Sequence, residues 1–310
     1  MISMQKFLLA ILILASIFFA ATQTCSPQDL TPRLQSPVPA RLHTLAFGYA
    51  YSHGNYLLDS SLPLQDVKAK VNTLVLGYST TFKLFGRAAK FDVAAPVGTG
   101  TWEGLVNGVP ASATRTGFGD PVLALSVNIL GNRPLLLRQF MQYRERFLLG
   151  LNLGISVPLG QYDKTKLVNL GTHRWVFKPT FGGSFKTGKW IFETFLNAWF
   201  FTTNSAYFNG NTLAQKPLFA VQFHVIYTFR PGLWAALSAG RNYGGETIVN
   251  GIHKRDIQEN SRFGATLAIP VTAMSGLRLG WTNGISVRFG ADFTTWAIGY
   301  WHSWARSGPK

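Results

Sequence analysis

The stretch RFLLGLNLGISVPLG (residues 146–160) alternates with a period of two. Phe147, Leu149, Leu151, Leu153, Ile155, Val157 and Leu159 occupy every second position, with Gly150, Asn152, Gly154 and Ser156 between them. Apolar positions on a helix recur every 3.6 residues; a period of two belongs to a strand whose two faces meet unlike surroundings. KPLFAVQFHVIYTFR (216–230) repeats the pattern, with Phe219, Val221, Phe223, Val225, Tyr227 and Phe229 on one face and Gln222, His224, Thr228 and Arg230 on the other. Near the C-terminus Trp296, Ile298, Tyr300 and Trp304 share a face.

Alternation also suits a soluble sandwich. Segment length and aromatic placement separate the two. Most of these segments run about ten to fifteen residues, beyond the five or six usual in soluble sheets and enough to cross a bilayer at a tilt. Trp and Tyr gather at their ends, as they do at membrane interfaces. Only 14% of the residues are charged and 47% are hydrophobic, whereas a soluble domain is about a quarter charged. Such a chain needs somewhere other than water for its apolar surface.

Strands are expected near residues 41–52, 68–83, 86–97, 118–130, 146–159, 174–186, 189–203, 217–230, 232–244, 261–271, 275–285 and 290–305. The links after the second, sixth, eighth and tenth are tight, as in KTGK (186–189) and RPG (230–232), while those after the first, third, fifth, seventh and ninth are long and rich in Gly, Asn, Asp and Lys. Short turns on one rim and long loops on the other are the arrangement of an outer-membrane barrel. The expected fold is therefore all-β, a transmembrane antiparallel β-barrel of about 12 strands over residues 41–305, with both termini on the short-turn, periplasmic rim. Two links depart from the rule: GNRPLLLRQFMQYRE (131–145) is long where a turn is expected and suits a bent strand or small helix, and the last link is short.

Upstream, Lys6 precedes an apolar run from Phe7 to Ala21, too short to span a bilayer as a helix and typical of a secretory signal peptide. Residues 1–24 are assigned to that signal and residues 25–40, with four prolines in SPQDLTPRLQSPVPA, to an extended periplasmic leader; residues 306–310 form a C-terminal tail. Cys25 is the only cysteine, so no internal disulfide can form, and Thr22, Gln23 and Thr24 before it lack the Leu and small residue of a lipid-attachment site.

With the apolar faces turned to lipid, the opposite faces point into the lumen. The charged or titratable positions there are Lys90, Asp92, Asp120, Arg174, Lys178, Glu193, His224, Arg230, Arg262 and Arg278. Basic groups outnumber acids, and rings of basic side chains favour anions. About twelve strands fall between a barrel that side chains fill and one that holds an aqueous channel. Pairing among these groups inside a narrow bore is thus an equally open reading.

Four motifs then carry a family resemblance: TGFGDP (116–121), VPLGQYDKTKLVNLGTHRWVFKPTFGGSFKTGKW (157–190), QFHVIYTFRPGLWAAL (222–237) and NSRFGATLAIPV (260–271). In this order they resemble the outer-membrane transporter family described as "putative MetA-pathway of phenol degradation". The resemblance implies a Gram-negative outer-membrane barrel with a role in uptake linked to aromatic degradation. It carries over no catalytic set.

The net charge of +16 would suggest nucleic acid in another setting, but an exported barrel does not meet it. Loop residues such as Lys164, Lys166, Lys254 and Arg255 are expected instead to face lipid headgroups, lipopolysaccharide phosphates or incoming anions. No cofactor or metal is expected: the six histidines lack metal-ligand spacing, and GTGTWEG (98–104) and YGGET (243–247) read as loop glycines. His302 lies on the apolar face while Ser303 faces the other way, which argues against a lipid hydrolase. The leading expectation is a channel for small aromatic or anionic solutes, the alternative a closed structural or surface-interaction barrel. Oligomeric state is not legible.

Overall fold

The computed structural model describes residues 30–57, 64–131 and 133–305. The signal peptide and the C-terminal tail lie outside the described residues. Twelve strands pair antiparallel: β1 (Leu42–Leu57), β2 (Leu64–Leu84), β3 (Arg87–Val106), β5 (Val122–Leu130), β6 (Phe147–Ser156), β7 (Val176–Thr187), β8 (Trp190–Phe201), β11 (Leu218–Arg230), β12 (Leu233–Gly244), β15 (Gln258–Pro270), β16 (Ser275–Ser286) and β17 (Gly290–Ala305). The first and last strands join along their whole length, from Leu42 opposite Ala305 to Leu57 opposite Gly290, and close the barrel. Closure leaves no unpaired edge, which a sheet in hydrocarbon requires.

Sequence alternation becomes inside and outside. On β6, Leu148, Asn152 and Ser156 are buried while Leu151 and Leu153 are exposed; on β11, Gln222, His224 and Ile226 are buried while Phe223 is 53% exposed. A band of exposed Leu, Phe and Trp around a closed barrel is a surface for lipid. At its periplasmic end Trp190 meets Tyr227 edge-on at 4.8 Å, and His43 stacks on Trp304 at 5.6 Å.

The two rims differ as expected. The β2–β3 turn is two residues, Phe85 and Gly86, both at positive φ, the geometry whose twist matches that of the flanking strands. The long link 131–145 holds a short helix, α1 (Leu137–Gln142). Its Leu135 carbonyl accepts from the Ala40 N–H at 2.8 Å, so this link braces the leader where it meets the barrel.

On the opposite rim the chain is more regular than the sequence indicates. GTGTWEG is strand rather than loop: β3 continues through it and turns at Asn107–Gly108 into β4 (Val109–Phe118). The Trp102 ring lies across the place where a side chain at residue 100 would stand, so Gly100 gives the indole a surface to cover. Hydroxyl pairs Thr99–Thr116 and Thr101–Thr114 link the two strands at 2.8 and 3.1 Å. Farther round, β9 (Asn204–Tyr207), β10 (Asn211–Gln215), β13 (Thr247–Val249) and β14 (Ile252–His253) form a second, four-stranded sheet from two loops.

Large and small side chains divide the lumen. On the β7–β12 side, Phe195, Trp199, Leu218, His224 and Ile226 are fully buried and fill the bore. On the β1–β3 and β15–β17 side many of the inward positions are small, among them Ala46, Ala50, Thr73, Thr266, Gly280 and Ala297. The open volume lies along that second wall.

Candidate functional site

The described part of the leader does not trail away into the periplasm. Residues 30–41 rise from the periplasmic rim into the lumen. At the rim Thr81 Oγ1 donates to the Pro39 carbonyl at 2.6 Å, and Arg41 N–H donates to the Thr81 carbonyl at 2.9 Å. Higher up, Gln35 is buried beside Gly150, where any larger side chain would collide with its amide. A turn follows, with Ser36 N–H bonded to the Arg33 carbonyl and Arg33 Nε–H to Ser36 Oγ. Arg33 N–H then donates to Glu193 Oε2 at 2.6 Å, and Leu30 packs over Gly240 near mid-barrel. Prolines 32, 37 and 39 carry no N–H, so the strap brings three fewer backbone donors into the bore that need an acceptor.

Two cavities flank the strap. The upper one, about 290 Å³, is walled by Ala50, Ser52, Thr73, Thr266 and Thr295, with Arg262. The lower one, about 310 Å³, runs toward the periplasm past Ser79, Thr81, Lys90, Asp92 and Ser303. Thr31, Pro32 and Arg278 line both. The constriction between the chambers is therefore made by the leader and one wall arginine.

The charged positions picked out from sequence are spread over different parts of the barrel. Lys90 and Asp92 form an ion pair at 3.0 Å in the lower chamber. Arg262 donates to Thr282 Oγ1 at 3.2 Å and to the Phe293 carbonyl at 2.9 Å in the upper chamber. Glu193 and Arg278 stand at the constriction, and His224 bonds through Nδ1 to Ser238 Oγ at 2.7 Å in the filled half. Lys178 lies over the Trp199 ring at 4.9 Å.

The other three are not at the path. Arg174 stands before β7 at the extracellular rim, over the Phe201 ring at 4.5 Å, with its Nη2 on Gln215 Oε1 at 2.5 Å. Asp120 is buried at the bend between β4 and β5. It accepts from Gly160 N–H at 2.9 Å, Thr172 N–H at 2.7 Å and Thr172 Oγ1 at 2.6 Å, which fastens the long loop before β7. Arg230 ends β11 beside the Pro231–Gly232 turn and is exposed.

Sequence reasoning missed Arg33 and Trp234. Arg33 lies outside any alternating segment, so nothing in its neighbourhood marks it as inward. Trp234 sits at a strand end, where an indole ordinarily reads as an interface anchor, yet it is buried in the lumen with Arg33 Cζ at 5.5 Å and Arg278 Cζ at 5.3 Å from its ring centre.

Above the barrel, Glu246 joins the two extracellular loops. Its Oε2 meets Lys216 Nζ at 2.6 Å and His253 Nδ1 at 3.0 Å. The Lys216 ammonium, and after it the His253 ring, hold the Glu246 carboxyl well below the usual range, at about 2. Among the described residues no group of three or more His, Asp or Glu side chains could hold a metal ion.

The fold is also that of a solved channel. The COG4313 outer membrane channel from Pseudomonas putida F1 superimposes with a TM-score of 0.76 at 19% identity, over 89% of this chain and 100% of that one. The β domain of the Bordetella autotransporter BrkA aligns over 85% of this chain and 100% of that one, at a TM-score of 0.46 and 10% identity, too distant to bear on the argument. No curated protein sequence matches the chain. A family model, "Putative MetA-pathway of phenol degradation", matches residues 49–293. That span takes in every barrel strand in whole or in part, and the chain belongs to this family of outer-membrane β-barrels.

Proposed function

We propose that the protein is an outer-membrane channel for small solutes, aromatic or anionic, that pass along the small-residue wall of the lumen. The observation that carries this reading is the pair of chambers meeting at Thr31, Pro32 and Arg278. A barrel built only to be stiff would have little use for a row of Ala, Ser, Thr and Gly along one side while Trp, Phe and Ile fill the other. Alanine, threonine and aromatic side chains line the chambers beside the guanidinium groups of Arg262 and Arg278, a lining that suits a single ring bearing a negative charge. The phenol-degradation label of the family agrees with an aromatic solute. Exposed Lys164, Lys166 and Arg255 on the outer loops would contact lipopolysaccharide phosphates and draw anions toward the mouth.

A closed surface-interaction barrel is the second reading, favoured by one observation: the leader occupies the bore and is hydrogen-bonded at both ends. Proteoliposome uptake separates the two. Vesicles carrying the full chain should accumulate labelled benzoate faster than empty vesicles and faster than they admit a neutral sugar of similar size. Uptake equal to that of empty vesicles would favour the closed barrel.

A further inference from the structure

Five of the lumen's titratable side chains have hydrogen-bonded or ion-pair partners. Lys90 has Asp92, Arg262 has Thr282 and the Phe293 carbonyl, Glu193 accepts the Arg33 N–H, and His224 has Ser238. Arg278 differs. Its guanidinium is held by stacking on Trp234, makes no hydrogen bond or ion pair among the described residues, and carries a buried Nε with no acceptor. A buried donor without an acceptor is costly to keep, and a guanidinium that lies over an indole ring can still offer its N–H groups to a carboxylate. Arg278 is also the one wall residue common to both chambers.

The charge balance agrees. Arg33 and Arg278 gather at Trp234 with Glu193 as the acid nearby, so positive charge is in excess there, whereas Lys90 and Asp92 pair with each other. Beside this excess the lower chamber offers Ala94, Val122, Ala124 and the ring of Trp301, which also packs on the Trp234 cluster. Its volume of about 310 Å³ lies at the small end of the range typical of small-molecule sites, about 300–1,000 Å³.

We propose that Arg278, with Arg33 of the leader and Trp234, forms a binding site for the carboxylate of a small aromatic acid between the two chambers, with the ring seated against Trp301 and Val122. The site rests on the channel reading for its place on a path, but binding itself does not require conduction. Because Arg33 belongs to the leader, a carboxylate drawn to both guanidinium groups meets the strap and the wall at once.

Titration calorimetry on the full-length protein in detergent tests this, using benzoate and its neutral analogue benzamide. Benzoate should bind saturably and benzamide about tenfold more weakly or worse, the scale of a hydrogen bond to a charged group. Arg278→Gln should erase the preference, and Arg262→Gln should keep it. Equal binding of the two probes, or a preference that survives Arg278→Gln, overturns the site. Heat-dependent gel migration reports whether each variant has folded. Should Arg278→Gln fail there, Arg278→Lys carries the test: losing the planar fork should reduce the preference severalfold, and an unchanged preference overturns the proposal. Bilayer conductance recorded on the same protein keeps the two claims apart. Silence with the benzoate preference intact removes the channel and leaves the site, and conduction without the preference does the reverse.

Discussion

Arg33 and Glu193 stand 160 positions apart in the sequence, yet the backbone N–H of the first donates to the carboxylate of the second at 2.6 Å. This bond fastens a proline-rich leader to the wall of a barrel whose strands all lie downstream of it. A hydrogen bond to a charged acceptor contributes about 1.5–3 kcal/mol. Removing the acceptor should therefore loosen the strap without opening the barrel. In Glu193→Ala, trypsin added on the periplasmic side should cut after Arg33 at least several times faster, with the barrel still resistant. Glu193→Gln keeps an acceptor oxygen and should lie near the wild type.

Gly150 tests the same strap sterically. A side chain there would occupy the space taken by the Gln35 amide. Gly150→Leu should displace the leader from the lumen, seen as loss of a crosslink between cysteines placed at 35 and 128, while the barrel still folds. A crosslink that forms as well as before would mean the leader does not depend on that groove.

Asp120 is structural where the sequence suggested a lumen group. With three hydrogen bonds from Gly160 and Thr172, its removal should cost about 3 kcal/mol, the scale of losing bonds to a buried charge. Denaturant unfolding of Asp120→Ala in lipid should show that loss, together with faster proteolysis of the loop before β7. Ion preference should stay unchanged.

Glu246 gives the outer loops a dependence on acid. Its folded-state value near 2 lies below the ordinary 4.5, so its contribution is fully present above about 4.5 and is lost as the pH falls toward 2. Hydrogen exchange across residues 247–253, corrected for the intrinsic rate, should quicken over that interval. In Glu246→Gln it should already be fast at neutral pH and respond less to acid.

Phe223 lies in the middle of β11 and is 53% exposed. An arginine facing lipid near the bilayer midplane costs about 2–4 kcal/mol. Phe223→Arg should lose that much in vesicle unfolding, and a neutral outcome would remove this face from the membrane.

The outer face was the most legible part of the molecule, because lipid demands an apolar residue at every second position of strands such as β6 and β11. The lumen face carries no such demand. Nothing in the pattern separates Glu193, which holds the leader, from Arg230, which ends its strand in the open. The hairpin of β3 and β4 was hidden by glycines that stand within strands, Gly100 beneath the Trp102 ring among them. The leader was hidden more deeply: residues 30–41 have no period, and their place is set by contacts such as Gln35 on Gly150 that only the closed barrel creates. Arg278 was visible as a charge, but its want of a partner depends on where Asp92, Glu193 and Trp234 fall in three dimensions.

If small solutes pass a constriction made by the leader against a basic wall, planar-bilayer recording of the full chain beside a variant lacking residues 26–40 should show it. The full chain should give small, discrete, anion-preferring steps. The shortened chain should give larger steps with weaker preference, since Arg33 leaves with the strap while Arg278 and Arg262 remain. Silent bilayers from both proteins, each shown to be folded, would mean that the barrel is closed.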